Sequence, residues 1–159
     1  GSLRYYIQKN GGPRAVSAFV DEMVVYENDH RLDLVETYET FSNEINARKS
    51  DLTNMISKLQ KEGKTFAGFG GSATTTTLMY HFDLCDKIEY IVDDNPAKHN
   101  TYSPGCHIPV LSSEEIYERK PGYVIMFAWR YFEPITKKHQ RFLDQGGHFI
   151  VPLPELEVI

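Results

Sequence analysis

The stretch FAGFGGSATTTTLMYHF, residues 66–82, decides the fold class. Three glycines, Gly68, Gly70 and Gly71, stand between a short apolar run and a segment of helical character. Glycines at a strand-to-helix turn let the backbone approach an anion closely, and the helix N terminus offers N–H groups and the positive end of its dipole. The stretch therefore predicts either a phosphate-binding turn or simply a tight connection.

The glycine spacing narrows the choice of phosphate. Gly68 and Gly70 match the first half of a dinucleotide-binding fingerprint, but the third glycine does not follow at the usual spacing. The Gly-Lys-Ser/Thr sequence of a nucleoside-triphosphate P-loop is also missing from this turn. The motif alone does not identify the ligand.

Apolar runs and helical segments alternate on the C-terminal side of this stretch. Strands are predicted at 64–69, 87–94, 122–129 and 147–154, with a short strand closing the loop 95–110, and helices at 74–84, 112–119 and 133–146. Strands separated by helices of this length form right-handed βαβ units and a mostly parallel sheet. We expect a Rossmann-like, three-layer α/β domain over residues 63–159.

The N-terminal side predicts a long α-helix. Residues 29–62 contain no proline or glycine, and apolar side chains recur every three or four residues with Arg48 as the one interruption. Such a helix is roughly 50 Å long, more than one face of a small domain. It could lie on its own domain, pair with a partner helix or a second copy, or tether a preceding domain. Residues 3–9 predict a strand, within an N-terminal strand-and-connector segment 1–28.

Composition restricts the class of protein. The chain has 159 residues, 41% of them hydrophobic, and a net charge of −5, which fits one globular domain and argues against a general affinity for nucleic acid. Cys85 and Cys106 are too few for a disulfide scaffold or a four-cysteine zinc site, so a reduced, cytoplasmic setting is expected. The six histidines are scattered, so no metal site is predicted, and no apolar run is long enough to span a membrane. No catalytic constellation can be recognised.

Polar and aromatic residues follow two of the predicted strands. Asp93 comes 25 residues after Gly68, where an acidic residue either binds ribose hydroxyls or forms the turn that follows. Lys98, beyond that turn, could face a phosphate or solvent. Trp129 and Arg130 end the third long strand, where they could stack on a base and pair with a pyrophosphate, or where Trp129 could cap the core.

Five blocks of sequence, spread from about Asp33 to the end of the chain, keep a recognisable order and spacing. They are ETYETF, KLQKEGKTFAGFGGSATTTTL, IVDDNPAKHNTYSPGCHIPV, KPGYVIMFAW and GGHFIVPLPE. The motif D-x-N-P-x-K followed by Y-x-P-G-x-x-I-P is the most specific. Together the blocks resemble the C-terminal domain of the sugar C-methyltransferases, which use S-adenosylmethionine to methylate a carbon of a nucleotide-linked, typically dTDP-linked, keto-deoxysugar.

The resemblance implies a three-part enzyme. A zinc-binding segment comes first, a methyltransferase domain that holds S-adenosylmethionine second, and the present Rossmann-like domain last. Residues 1–28 would include the final strand of the methyltransferase domain. The chain alone would supply neither a catalytic residue nor the donor site. Its partners would be a nucleotide sugar, the two preceding domains and, in a homodimer, a second copy; neither nucleic acid nor a membrane is expected.

Position by position, the resemblance implies a nucleotide-sugar site on the glycine loop, the Asp-Asn-Pro-Lys turn and the Ala-Trp pair. The site residues are Gly68, Gly70, Gly71, Ser72, Thr74, Thr75, Asp93, Asn95, Lys98, Trp129 and Arg130. The sequence departs from the family pattern at four of them: Ser72 replaces Pro, Thr74 replaces Lys, Thr75 replaces Gly, and Arg130 replaces Asn. Loss of the lysine removes a phosphate partner and leaves the identity of the ligand open.

Two other functions stay open. The chain could be a free-standing Rossmann-like dinucleotide-binding module, although the incomplete glycine fingerprint argues against it. It could also be a non-catalytic docking or oligomerisation domain that uses the long helix. Binding of dTDP-sugars, binding of NAD or NADP, and the mass in solution distinguish the three functions.

Overall fold

A mostly parallel sheet forms the centre of the computed structural model, which describes residues 3–159. Its seven strands within those residues are β1 (Phe66–Phe69), β2 (Ile91–Asp93), β3 (Thr101–Tyr102), β4 (Pro109–Ser112), β5 (Tyr123–Met126), β6 (His148–Val151) and β7 (Glu157–Val158). They lie in the order β3-β4-β2-β1-β5-β6-β7, with β3 and β7 antiparallel at the two edges. The predicted Rossmann-like α/β fold is confirmed.

Six α-helices occur within the described part of the chain. They are α1 (Ala18–Asp29), α2 (Val35–Lys61), α3 (Ala73–His81), α4 (Glu115–Arg119), α5 (Phe132–Lys138) and α6 (Gln140–Asp144). The chain divides into two compact units, one ending at Asn43 and one running from Glu44 to Ile159. The finer division at residues 28 and 62 stays a prediction.

Helices cover both faces of the sheet in the second unit. On one face, Leu52 of α2 and Met79 of α3 are fully buried in a cluster with Ile125 of β5. On the other face, Ile116 of α4 and Phe142 of α6 pack with the alternate strand residues. Successive side chains of a strand point to opposite faces, so a strand covered on both sides must be apolar at every position. This is why the strand segments read as continuous apolar runs.

The apolar stripe of α2 meets two different environments. Leu52 is completely buried, and Met55 and Leu59 pack against the same core cluster. Tyr38 and Phe41, earlier in the stripe, are 55% and 61% exposed. The interpretation that the helix lies on its own domain is therefore correct for its C-terminal half only.

The N-terminal elements differ in part from those predicted. Residues 3–9 form no strand, because no neighbouring strand within the described residues pairs with them, and Ile7 is 94% exposed. The predicted helix 29–62 begins only at Val35, and a separate helix, α1, precedes it. Ser17 caps α1 by accepting the Phe19 N–H at 3.3 Å. The two helices are interrupted at Arg31, which has a positive φ of 55° that no α-helix accommodates.

Other differences lie in the second unit. The predicted helix 133–146 is two helices interrupted at His139, and β7 was not predicted. Cys85, after α3, is disulfide-bonded to Cys106, in the loop before β4, with Cα atoms 5.4 Å apart. The expectation of two reduced cysteines is therefore wrong, because the loop returns to the end of α3. Among residues 3–159, no helix is long and apolar enough to cross a membrane.

Candidate functional site

A cavity of about 310 Å³ opens at the carboxyl ends of β1, β2 and β5. The chain reaches β2 on one side of β1 and β5 on the other, so this is the point where the strand order reverses and where open α/β sheets bind ligands. The predicted site residues that line the cavity are Gly70, Ser72, Thr74, Asp93, Lys98, Trp129 and Arg130. Its other lining residues are Phe69, Asp94, Phe127, Ala128, Tyr131 and Ile135, and of these only Ala128 was implied by the resemblance, as half of the Ala-Trp pair.

The glycine turn is shaped by backbone geometry and by one buried hydroxyl. Gly70 has a φ of +101°, and a Cβ there would lie 2.9 Å from the Ala128 Cβ, so both conformation and space require glycine. Thr75 is 2% exposed; its Oγ1 accepts the Ser72 N–H at 3.0 Å and donates to the Gly70 carbonyl. The turn is thus held in one shape at the start of α3.

Gly68, one of the predicted site residues, packs against a buried aromatic ring. It lies inside β1, and a Cβ at this position would overlap the ring of Phe127. Phe127 is 1% exposed and lines the cavity beyond the end of β5. Gly68 therefore allows a large aromatic side chain to pack directly against β1, and it does not line the cavity itself.

Asp93 organises the loops around the cavity. Its Oδ2 accepts the Gly71 N–H at 2.7 Å and pairs with Lys98 Nζ at 2.8 Å, while its Oδ1 accepts the Asn95 N–H at 2.8 Å. Burial alone would raise the pKa of this carboxyl, but the hydrogen bonds from Lys98, Asn95 and Gly71 outweigh it, and the pKa is lowered. The carboxylate therefore ties the turn after β1 to the turn after β2.

Asn95 completes this second turn and does not line the cavity. Its side-chain oxygen accepts the Ala97 N–H at 3.0 Å, which caps the short 3₁₀ helix Pro96–Lys98. That helix presents Lys98 to Asp93. The Asp-Asn-Pro-Lys sequence is thus a structural unit whose lysine is already paired with a carboxylate.

Trp129 and Arg130 form the opposite wall of the cavity. They begin a 3₁₀ turn, Trp129–Tyr131, which follows β5 after Phe127 and Ala128, and the Arg130 guanidinium lies 5.0 Å from the centre of the Trp129 ring. Arg130 is exposed and makes no ion pair with any carboxylate described within residues 3–159. The guanidinium lies over one face of the indole ring at the cavity mouth.

A polar cluster around Asp94 was missed by the sequence interpretation. The Asp94 Oδ1 accepts from Ser113 Oγ at 2.7 Å and from Lys138 Nζ at 2.8 Å. His139, 2% exposed, lies below it with Nε2 at 3.4 Å, and the other ring nitrogen is 2.8 Å from the Tyr117 Oη. These partners come from separate elements of the chain, so no local pattern in the sequence connects them to Asp94.

Burial and charge shift the pKa values of this cluster. Burial lowers the pKa of His139, although Asp94 acts in the opposite direction. Burial alone would raise the pKa of Asp94, but the contacts with Lys138, Ser113 and His139 outweigh it, and the pKa is lowered. At neutral pH the cluster therefore combines a neutral histidine with an ionised aspartate.

The cavity wall offers several groups that can bind a polar, aromatic ligand. An aromatic ring, a guanidinium, a helix N terminus and an ionised carboxylate suit a ligand with a base, a phosphate and hydroxyl groups. Across residues 3–159, no group of three or more His, Cys, Asp or Glu side chains is arranged to hold a metal ion.

Comparison with known proteins gives the family. The model of the C-methyltransferase C-terminal domain matches residues 1–154. The chain is also 28% identical, over 160 aligned residues and its whole length, to the C-methyltransferase NovU of Streptomyces niveus, and it spans 38% of that relative. With the match covering nearly every residue and the fold in agreement, the chain belongs to the family of C-methyltransferase C-terminal domains.

Proposed function

We propose that this chain is the nucleotide-sugar-binding, C-terminal part of an S-adenosylmethionine-dependent methyltransferase that acts on a carbon of a dTDP-linked deoxysugar. Membership of the C-methyltransferase family supports the methyltransferase assignment of the longer protein. One structural observation supports nucleotide-sugar binding by the present chain. That observation is the cavity at the strand-order reversal, which combines the glycine turn with the Trp129–Arg130 pair.

The diphosphate of the ligand would lie between Arg130 and the start of α3. Ser72 and Thr74 line the cavity at this helix end, where backbone N–H groups and the helix dipole favour an anion. Lys98 is already paired with Asp93, so Arg130 is the cavity cation that remains to neutralise a phosphate. Thr74 replaces the lysine of the family pattern, and Arg130 compensates for that lost charge from the opposite wall.

The Trp129 ring would stack on the thymine base. Indole faces stack on flat heterocycles, and Trp129 lies beside the cation that would hold the phosphates. With the base on Trp129 and the diphosphate at Arg130, the sugar would lie deeper in the cavity, over Phe69 and Asp94.

The methyl donor does not fit this cavity on the residues present. The carboxylate at the end of β2 that would hold the donor's ribose is Asp93, and both of its oxygens are engaged by protein groups. The chain spans 38% of its relative, so we place the donor and the catalytic base in the remaining part of a longer protein.

Titration of the chain with dTDP-glucose tests this function. We expect binding by isothermal titration calorimetry, and a stabilisation of roughly 2.7 kcal/mol at a concentration 100 times the Kd. R130A should weaken binding about 10-fold or more, because a charge-assisted hydrogen bond to phosphate is lost. K137A removes an exposed lysine from outside the cavity and serves as the control. Binding of NAD but not of dTDP-glucose would support the dinucleotide-binding alternative instead.

A second role, as a docking surface, is supported by the apolar side chains of the first unit. Phe19, Val20 and Val24 of α1 are 52%, 49% and 50% exposed, and α1 buries no residue. Exposed apolar area of this extent is typical of an interaction surface. We propose that it packs against the remaining part of the longer protein. Sedimentation equilibrium should then find this chain monomeric, whereas a dimer that V24D dissociates would identify a second copy as the partner.

A further inference from the structure

Two neighbouring carboxylates, Asp93 and Asp94, line the same cavity but differ in how many of their oxygens are engaged. Asp93 is 7% exposed, and its two oxygens accept from two backbone N–H groups and from the Lys98 ammonium. Its position at the end of β2 matches the usual ribose-binding carboxylate, but three protein groups already donate to it, Gly71 and Lys98 to Oδ2 and Asn95 to Oδ1.

Asp94 keeps one oxygen available. Both of its close contacts, from Ser113 and Lys138, go to Oδ1, and His139 also lies nearest to Oδ1. Among the hydrogen bonds described within residues 3–159, none reaches the Asp94 Oδ2. The side chain is 32% exposed and faces the cavity, so a ligand can reach this oxygen.

The surroundings of Asp94 hold the carboxylate in place. Ser113 is 7% exposed and lies after β4, Lys138 ends α5, and the buried ring of His139 is held by the Tyr117 hydroxyl. A carboxylate fixed by several elements loses little conformational freedom when a ligand binds. His139 Nε2 is buried and makes no hydrogen bond of its own in the described structure.

The charge at Asp94 determines which ligand group fits. The carboxylate is an acceptor of hydrogen bonds only and carries a negative charge, which repels a phosphate. A hydroxyl group is a neutral donor and suits the free oxygen. The phosphate-compatible groups, Arg130 and the N terminus of α3, occupy the other parts of the cavity wall.

We infer that Asp94, and not Asp93, is the residue that accepts a hydrogen bond from a hydroxyl group of the bound ligand. This assignment rests on the proposed nucleotide-sugar function and adds to it a hydrogen bond between the protein and a sugar hydroxyl of the ligand. The hydroxyl belongs either to the hexose or to the deoxyribose of the nucleotide.

Calorimetric titration of the chain and its D94N variant with dTDP-glucose and with dTDP tests the assignment. The Nδ2 of asparagine donates and cannot accept, so we expect D94N to bind dTDP-glucose roughly 10- to 100-fold more weakly. Unchanged binding of dTDP would assign the contact to the hexose, and an equal loss for both ligands would assign it to the deoxyribose. D144N makes the same chemical change at an exposed residue outside the cavity and should bind like the parent chain.

Equal affinity of D94N and the parent chain for dTDP-glucose would overturn the assignment while leaving the proposed function intact. Failure of the parent chain to bind dTDP-glucose would overturn the proposed function and this assignment with it. If the circular dichroism spectrum shows that D94N does not fold, D94E, which retains the charge facing Lys138 but displaces the oxygens, is titrated instead. Weakened binding by D94E supports the contact, and unchanged binding overturns it.

Discussion

Residues 3–43 and residues 44–159 differ in whether their large apolar side chains are exposed or buried. Fourteen of the nineteen exposed large hydrophobic residues in the described chain lie in the first region. Every buried hydrophobic residue lies in the second, beginning with Leu52. Both regions contain amphipathic or apolar helices, so burial cannot be read from helix composition alone. The second region has a core of its own, whereas the first has only an apolar surface.

The largest contrast should appear when one phenylalanine is truncated in each region. Phe149 is completely buried in β6, so F149A should lower the free energy of unfolding by about 3–5 kcal/mol. Phe19 in α1 is 52% exposed, so F19A should change it by less than about 0.5 kcal/mol. Urea denaturation measures both. A cost of F19A comparable to that of F149A would contradict the comparison.

A smaller contrast is expected from adding a methyl group to one glycine in each region. A Cβ at Gly68 overlaps the buried ring of Phe127, so G68A should cost about 1–3 kcal/mol. A Cβ at Gly12 comes within 2.5 Å of Gln8 Oε1, in an exposed side chain whose amide is hydrogen-bonded to the Arg14 backbone. G12A should therefore cost less than about 1 kcal/mol, because this side chain can move away at the expense of exposed hydrogen bonds only. Equal melting temperatures for the two variants would contradict this expectation.

The change in stability with pH should come from the second region, through His139. Burial lowers the pKa of His139 from its ordinary value of 6.5, so the unfolded chain binds more protons than the folded chain as the pH falls below about 6.5. Stability should therefore decrease from pH 7.5 to 5.5, above the range in which the aspartates titrate. H139Q should remove this decrease.

H30Q, at an exposed histidine after α1, is the matched control and should retain the decrease. The free energy of unfolding in urea, measured at several pH values for the three proteins, checks the expectation. A pH profile of H139Q that coincides with the parent profile would show that another group is responsible.

A small effect is expected even from the largest change in sequence. Removal of residues 1–43 takes away α1 and the beginning of α2, but none of the buried hydrophobic residues. The remaining chain should fold, and its free energy of unfolding should be lower by less than about 1 kcal/mol, because no core side chain is removed. Thermal unfolding followed by circular dichroism measures this difference. Loss of the cooperative transition would show that the second region requires the first.

The sequence could predict what local patterns determine. The strands β1, β5 and β6 were recognised because each is a continuous apolar run, and α3 because a segment of helical character, beginning with threonines, follows the glycine turn. The N-terminal segment 3–9 forms no strand in this chain, because alternation of apolar residues does not reveal whether a partner strand is present, and its assignment to a preceding domain stays a prediction. The predicted start of α2 was too early. Arg31 has a positive φ, and the identity of an arginine does not reveal this backbone conformation.

The candidate site was predicted only in part. Gly70, Asp93 and Trp129 follow strand ends, and ends of parallel strands meet at one edge of the sheet. The use of Asp93 by the loops and the availability of Asp94 depend on Ser113 and Lys138, which are 19 and 44 residues away in the chain. No spacing rule connects such distant residues, so tertiary structure was needed to separate the two carboxylates.

The strand order has a consequence for the order of folding. Phe66 of β1 pairs with Tyr123 of β5, 57 residues later, whereas Asp93 reaches Gly71 over only 22 residues. Contacts between distant residues require the closure of long loops and form slowly. During synthesis the glycine turn and its aspartate can therefore come together while the Trp129 wall is still inside the ribosome. The ligand-binding edge of the sheet is completed only by the last third of the chain.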